Sequence, residues 1–410
     1  MSCEYTITHS DRHDSQLTIH YSLLTTHYSL LTNMSFGNRI AAELRGDRTI
    51  WMIIAVLSLF SMLAVYSASG WAAWTSRGGN TTVFLLTHTV RLAFGLFLVY
   101  VCHLLHYRRY QQIAPFLMLL AVPLLAITLF FGSSINDANR WISFAGFSFQ
   151  PSEFAKIALI IYIARELTRK QEYISSFKDA FLPIIVPVLI ICGLIAPANL
   201  STALLLFMTC ILLMFMGRVS WQYIFLLGLL GVVVFAGMVA FGQLYPETGL
   251  IRVDTWISRV QTFLHSEDGG YQVQQAKIAI AKGGIIGEGP GNSMMRNYLP
   301  YCNADFIYAI ICEEYGLLGG TAILVLYVML FIRNVKLVTK SPKAFGAFLA
   351  IGLSLLLTVQ ALANIAVNVN LVPATGLTLP MISMGGTSML FTCISLGMIL
   401  SVSKFIESLD

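Results

Sequence analysis

The chain has 410 residues, 57% of them hydrophobic and only 11% charged, and its mean hydropathy is +0.74. Soluble domains carry roughly 25% charged residues, so the composition excludes a soluble globular protein and calls for an integral membrane protein. The net charge of +5 comes without the basic and aromatic patch of a nucleic-acid binder, and no such partner is expected.

The N-terminus repeats itself: His20-Tyr21-Ser22-Leu23-Leu24-Thr25 recurs as His27-Tyr28-Ser29-Leu30-Leu31-Thr32, just ahead of Met34. Its apolar stretches are too short and too polar for a signal peptide. Residues 1–33 are expected to be an extension ahead of a natural start at Met34, or a disordered tail. Residues 34–48 then form a cytoplasmic N-terminus.

Apolar runs close to the ~20 residues that cross a bilayer follow at 49–69, 83–102, 113–131, 153–168, 181–197, 201–217, 221–242, 306–332, 344–366 and 382–402. Backbone groups must pair within each segment in lipid, so the spans are helical. The predicted fold is an all-α membrane domain over 49–402 with about ten transmembrane helices. It has one large extracytoplasmic loop at 243–305, between helices seven and eight, and a cytoplasmic tail at 403–410. With the N-terminus inside, the inner segments collect Arg12, Arg39, Arg45, Arg48, Arg108, Arg109, Arg165, Arg169, Lys170, Lys178, Arg218, Arg333, Lys336, Lys340, Lys343 and Lys404, 16 of the 25 basic residues. The positive-inside rule therefore places both termini in the cytoplasm. The seven cysteines form no CxxC pair and read as small apolar side chains rather than disulfides or a zinc site. His103 and His106 beside Arg108 and Arg109 suit a lipid-headgroup interface.

Four stretches carry chemistry. Between spans three and four, Arg140-Trp141 is followed by Gln150-Pro151-Ser152-Glu153 and Lys156. Pro151 and Ser152 suit the first turn of a helix, and Glu153 and Lys156 share a face. Such charges face protein or a cavity, either as an ion pair that locks the helix or as a pair that tunes a nearby carboxylate. The run Gly283 to Ser293 lacks the Gly-Lys-Ser/Thr of a Walker loop and the strand-turn-helix frame of a Rossmann site. It reads as a tightly folded loop whose glycines let backbones approach, although freed N–H groups can also meet a pyrophosphate. Asp305 precedes the apolar run 306–311 and then Glu313-Glu314; by position it suits a helix N-cap. Last, Gln360, Asn364 and Asn368 form a polar stripe suited to interhelical hydrogen bonds. A broken segment from Pro373 to Ser388 follows, which must be buried or line a cavity.

Together these stretches resemble the SEDS family of peptidoglycan polymerases, whose members include FtsW, RodA and SpoVE. The resemblance runs from about residue 50 to residue 402 and rests on several ordered motifs: Arg140-Trp141, Phe147 to Lys156, Gly269-Gly270-Tyr271-Gln272, Gly283 to Ser293, Tyr298-Leu299-Pro300, Asp305-Phe306-Ile307, Glu313-Glu314, and Gly376 to Ser388. The short Gly289-Pro290-Gly291-Asn292-Ser293 connection is similar to that of FtsW. The resemblance implies polymerisation of lipid II into glycan strands outside the bacterial cytoplasmic membrane, for the septal wall of dividing cells. It places the family's essential aspartate on Asp305, supported by Glu153 and Lys156. It places substrate contacts on Arg140, Trp141, Gln150, Ser152, Gln275, Gly289, Gly291, Asn292, Ser293, Pro300, Glu314, Gln360, Asn364, Asn368, Thr378, Ser383, Gly385 and Gly386. The sequence departs from the family pattern at Asn199, where an aspartate is usual, and at Thr375, where a lysine is common. Met384 replaces an aromatic residue and Ala276 a serine.

The implied reaction has Asp305 as general base for an acceptor sugar hydroxyl, with undecaprenyl pyrophosphate leaving and the anomeric centre inverting. Arg140, Lys156 and the glycine loop are the candidates to hold the pyrophosphate. No cofactor is fixed by the sequence; a divalent cation, Mg or Mn, can share that task, with its ligands unassigned. Expected partners are membrane lipid, a class B penicillin-binding protein and other divisome proteins. Two other function classes fit parts of the pattern. A lipid II flippase would move lipid II without needing Asp305. A non-catalytic scaffold for the transpeptidase would tolerate changes at the site.

Overall fold

The computed structural model describes residues 46–70, 81–135, 138–144, 147–244, 253–265, 270–339 and 343–407. The N-terminal extension expected at 1–33 lies outside the described residues. From Asp47 onward the chain is one compact unit.

Twelve helices are described: α1 Arg48–Ala68, α2 Thr81–Leu104, α3 Tyr107–Phe131, α4 Pro151–Arg169, α5 Leu182–Ile195, α6 Leu200–Met216, α7 Trp221–Leu244, α8 Val253–His265, α9 Tyr271–Gly283, α10 Ile307–Thr339, α11 Ala344–Asn368 and α12 Gly386–Glu407. Each of the ten expected spans falls on a helix. Among the described residues, eight helical segments are long and apolar enough to cross a membrane. The two exceptions have plain causes. Helix α6 is apolar but only 17 residues long, while α4 carries Glu153, Lys156, Arg165, Glu166 and Arg169 along its length. Those charges are tolerable because α4 lies inside the bundle with Glu153 paired to Lys156 at one end and Glu166 to Arg169 and Lys170 at the other.

Helix α11 is the centre of the molecule, packed against α4, α6, α10 and α12. Helix α7 is at the opposite extreme, resting on α6 and α8 and almost wholly exposed to the surroundings. At the end where the chain enters α1, Asp47 caps the helix through Thr49 N–H at 2.8 Å, pairs with Arg333 of α10, and donates its own N–H to Ser403 Oγ of α12 at 3.0 Å. The tail expected at 403–410 continues α12 as helix to Glu407. His103 does not face outward: it is buried edge-on against Trp51. His106 caps α3, its Nδ1 accepting the Arg108 N–H at 3.1 Å.

The opposite end carries the structure that matters for function. The α3–α4 connection is a three-stranded antiparallel meander, β1 Ser133–Ile135, β2 Ala138–Phe144 and β3 Phe147–Phe149, with Ser134 opposite Asn139 and Ser143 opposite Ser148. The long α7–α10 connection holds α8 and α9, and α9 then runs into the glycine loop. That loop lies against α10 where α10 breaks at Gly316, φ 66° and ψ −168°. Glu288 and Gly289 donate to the carbonyls of Glu313 and Glu314, each at 3.0 Å, and Leu317 donates to Gly284 O at 2.9 Å. Any Cβ at Gly287 or Gly316 would intrude on the partner backbone. The approach of two main chains is the reason for glycine here.

Candidate active site

Asp305 lies in the turn before α10. An aspartate there is a natural cap, yet the Ala309 N–H is taken at 3.2 Å by Asn368 Oδ1 of α11. Capping is thus provided from a neighbouring helix, and Asp305 faces a cavity of ≈ 190 Å³ lined also by Arg140, Arg259, Gln272, Tyr301 and the 374–377 segment. Burial pushes the Asp305 carboxyl above the usual carboxylate range, while Arg259 and then Arg140 oppose that rise.

The polar stripe of α11 holds this turn in place. Asn364 Nδ2 donates to the carbonyl of Asp305 at 2.7 Å and to that of Leu377 at 2.6 Å. Asn368 Nδ2 reaches the same Asp305 carbonyl at 3.2 Å, and Gln360 Nε2 donates to Thr378 O at 3.0 Å. From the facing segment, Ser383 Oγ donates to Ala304 O at 2.6 Å and accepts from Leu379 N–H at 2.8 Å. A buried carbonyl left without a donor costs about 1–3 kcal/mol, so the stripe fixes both walls of the cavity. These side chains, carried over as substrate contacts, have their amide and hydroxyl groups engaged with backbone and with neighbouring side chains.

Glu153 and Lys156 pair at 2.9 Å, and Lys156 Nζ donates to Gln360 Oε1 at 3.1 Å. The pair therefore reaches the site through Gln360 and Thr378. The charges that oppose burial at the Asp305 carboxyl come first from Arg259 and then from Arg140. Both guanidinium groups are oriented by backbone, Arg259 Nη1 donating to Ala374 O at 3.1 Å and Arg140 Nε to Ala198 O at 2.7 Å.

The glycine loop stands apart from this cavity, and its groups are already engaged. Ser293 Oγ donates to Glu313 Oε2, Met294 N–H donates to Glu313 Oε1 at 3.0 Å, and Ser293 N–H reaches Glu314 Oε1 at 3.4 Å. Ser67 Oγ of α1 also donates to Glu314, and Lys282 Nζ lies 3.5 Å from Glu313. Asn292 turns back on Glu288 O at 3.0 Å. Ser293 and Glu314 are buried in a joint between α1, α9 and α10, Gly289, Gly291 and the exposed Asn292 lie on its open side, and none of the five lines the Asp305 cavity. Gln275, Pro300 and Trp141 do not line it either. Gln150 and Ser152, hydrogen-bonded at 3.0 Å, border a small void that also touches Arg140. Thr378 Oγ1 lies 3.3 Å from Ser388 Oγ, and Gly385 N–H donates to Ser383 O at 2.7 Å, so Thr378, Gly385 and Gly386 shape the broken segment.

Arg259 and Tyr301 were not singled out from the sequence, and Gln272 only within a motif. The one local signal for Arg259 is a basic residue on the amphipathic loop helix α8. Next to the polar cavity runs an apolar groove of ≈ 650 Å³ between α6, α7, α8 and α11, and Arg140, Arg259, Ala374, Thr375 and Leu377 line both. Among the described residues no three His, Cys, Asp or Glu side chains come together as a cation cage. One carboxylate between two arginines does not fit a protein-held divalent cation.

Similarity to known proteins agrees with this construction. Residues 47–408 match the family model for the FtsW/RodA/SpoVE cell cycle proteins. A protein named "Probable peptidoglycan glycosyltransferase FtsW" from Geobacter sulfurreducens is 32% identical over 90% of this chain and 98% of its own length. Stage V sporulation protein E of Bacillus subtilis is 31% identical over 88% of this chain and 97% of its own. Among solved structures, a chain from a peptidoglycan synthase complex that coordinates polymerisation and crosslinking superposes with a TM-score of 0.70, 24% identity, and coverage of 88% of this chain and 98% of its own. The rod shape determining protein RodA of Thermus thermophilus superposes with a TM-score of 0.63, 23% identity, and coverage of 87% and 96%. With its membrane helices, its partly buried aspartate and its broken final segment all inside the matched region, the chain belongs to the FtsW/RodA/SpoVE family.

Proposed function

We propose that this protein is a peptidoglycan glycosyltransferase of the bacterial inner membrane, polymerising lipid II into glycan strands at the division septum. The observation that carries the reading is the meeting of a partly buried carboxylate with an apolar groove. Asp305 occupies a polar cavity that shares a wall with the ≈ 650 Å³ groove. Such a site matches a substrate whose reacting sugar is tied to a long polyprenyl chain. Asp305 takes the proton of the acceptor 4-hydroxyl, the oxygen bonds to the donor's anomeric carbon, and the bond from that carbon to pyrophosphate breaks. The electron pair leaves with the pyrophosphate, beside Arg140, and one displacement inverts the centre.

In this reading the cavity opens on the outer face and both termini are cytoplasmic, in keeping with the basic inner segments. A class B penicillin-binding protein is the proposed crosslinking partner, within a larger division assembly.

The test is lipid II polymerisation by the purified protein, with and without that partner. Asp305→Ala is expected to abolish glycan synthesis while leaving insertion and complex formation intact. Glycan made equally by the variant would overturn the assignment and favour lipid II transport or scaffolding.

A further inference from the structure

Helix α2 carries a histidine that the proposed reaction does not use. His88 is 1% exposed and lies within an apolar helix long enough to cross the membrane. An ionisable side chain in that setting is costly unless it has a partner and a task. Resting on the glycosyltransferase reading, we infer that His88 is a positioning residue. Through Ser61 of α1 it fixes the broken segment that holds the turn bearing Asp305.

The direction of the relay follows from the number of protons available. His88 Nε2 lies 2.8 Å from Ser61 Oγ, and Ser61 Oγ donates to Ile382 O at 3.0 Å. A hydroxyl has one proton, and a carbonyl can only accept. Ser61 therefore spends its proton on Ile382, and the hydrogen between Ser61 and the imidazole belongs to Nε2. His88 is thus the donor at the head of the relay, and the network assigns its tautomer. Both side chains are buried, so bulk water does not compete for either bond.

Ile382 sits beside the residues that hold the aspartate turn. Ser383 Oγ donates to Ala304 O at 2.6 Å, and Met384 N–H donates to Asn303 O at 2.9 Å. Those two carbonyls immediately precede Asp305 in the chain. The segment is not helical here, so its carbonyls take donors from neighbouring elements. Pro380 O accepts from the Tyr327 hydroxyl of α10, and Ile382 O accepts from Ser61. Loss of the α1 donor releases one side of this clamp, and the 303–305 turn shifts with it. A general base works only within hydrogen-bond reach of its proton, and a misplacement of about 1 Å can cost roughly a hundredfold in rate. The relay therefore bears on kcat and not on substrate binding.

The experiment compares full-length wild type, His88→Leu, His88→Gln, Ser61→Ala and Leu92→Ala in detergent. Leu92 is a buried apolar residue one turn further along α2 and controls for plain destabilisation. Two quantities are read: the kinetics of lipid II polymerisation, and amide hydrogen exchange over 301–306 and 379–385. His88→Leu and Ser61→Ala are each expected to lower kcat about tenfold or more while KM stays within about twofold. Both should speed exchange in the two segments. Their effects should not add, because they break one relay. His88→Gln keeps an N–H donor and is expected to recover most of the rate. Leu92→Ala is expected to lower the thermal midpoint while keeping kcat near wild type and exchange in the two segments unchanged. Unchanged kcat in His88→Leu and Ser61→Ala overturns the inference. So does an equal loss in Leu92→Ala, or a His88→Gln variant as slow as His88→Leu. Should His88→Leu fail to fold, Ser61→Ala decides by the same two readouts. If wild type makes no glycan, the catalytic reading fails, and exchange alone judges the relay. Faster exchange in His88→Leu but not in Leu92→Ala then upholds it, and equal exchange in the two overturns it.

Discussion

Asp305 experiences two opposed effects: withdrawal from water disfavours its charged form, and Arg259 and Arg140 favour it. Burial prevails, so the carboxyl titrates above the ~4 of an ordinary carboxylate. A general base must be deprotonated, so glycan synthesis is expected to decline as pH falls through that raised value. Arg259→Gln removes the larger opposing charge and should move this acid limb to still higher pH. A pH profile of kcat/KM for the two proteins measures it. A profile unmoved by the substitution would mean that Arg259 does not act on Asp305.

At the scale of elements, α11 decides the site more than the loops do. Its Gln360, Asn364 and Asn368 join Lys156, Asp305, Ala309, Leu377 and Thr378, binding α4, α10 and the broken segment into one assembly. The buried Glu153–Lys156 pair is the outer link in that chain. Removing one partner of a buried pair costs about 3–5 kcal/mol, whereas replacing both by apolar residues costs little or can stabilise. Lys156→Met is therefore expected to lower the thermal midpoint in detergent more than Glu153→Leu/Lys156→Met. Polymerisation by the double variant separates the two readings that the sequence left open. Regained stability with regained activity marks a structural lock, and regained stability without activity marks a direct catalytic contribution. The glycine loop behaves as a joint at this scale, since Glu313 and Glu314 occupy the N–H groups that a phosphate would need.

Across the whole molecule, tightly buried α11 contrasts with α7, which rests on α6 and α8 alone among its larger contacts. The apolar groove and a second apolar cavity of ≈ 270 Å³ lie along this loosely held side, and Leu204, Leu200 and Phe235 line both. A continuous apolar path beside the reactive carboxylate is what a long polyprenyl tail requires. Leu204→Trp narrows it, and is expected to raise KM several-fold for a full-length polyprenyl donor while leaving a short-chain analogue almost unaffected. Equal effects on the two donors would place the tail elsewhere.

Much of this architecture is legible in the sequence because it depends on local quantities. The hydrophobic length of a segment and its helical period place every span, and α4 and α6 miss the criteria for a span only through their charge and length. The ordered motifs put Asp305, Glu153 and Lys156 forward as residues that bear chemistry. What the tertiary structure alone decided is which groups meet. Arg140 on β2, Arg259 on α8, Asp305 before α10 and Thr375 after α11 come from four distant parts of the chain to wall one cavity. No periodicity links them, because their proximity is created by helix packing around α11. Packing likewise supplied Asn368 as the cap for α10, releasing Asp305 from the role its position suggested. It also closed the glycine loop on α10, where glycine spacing alone left a cradle and a tight joint both open.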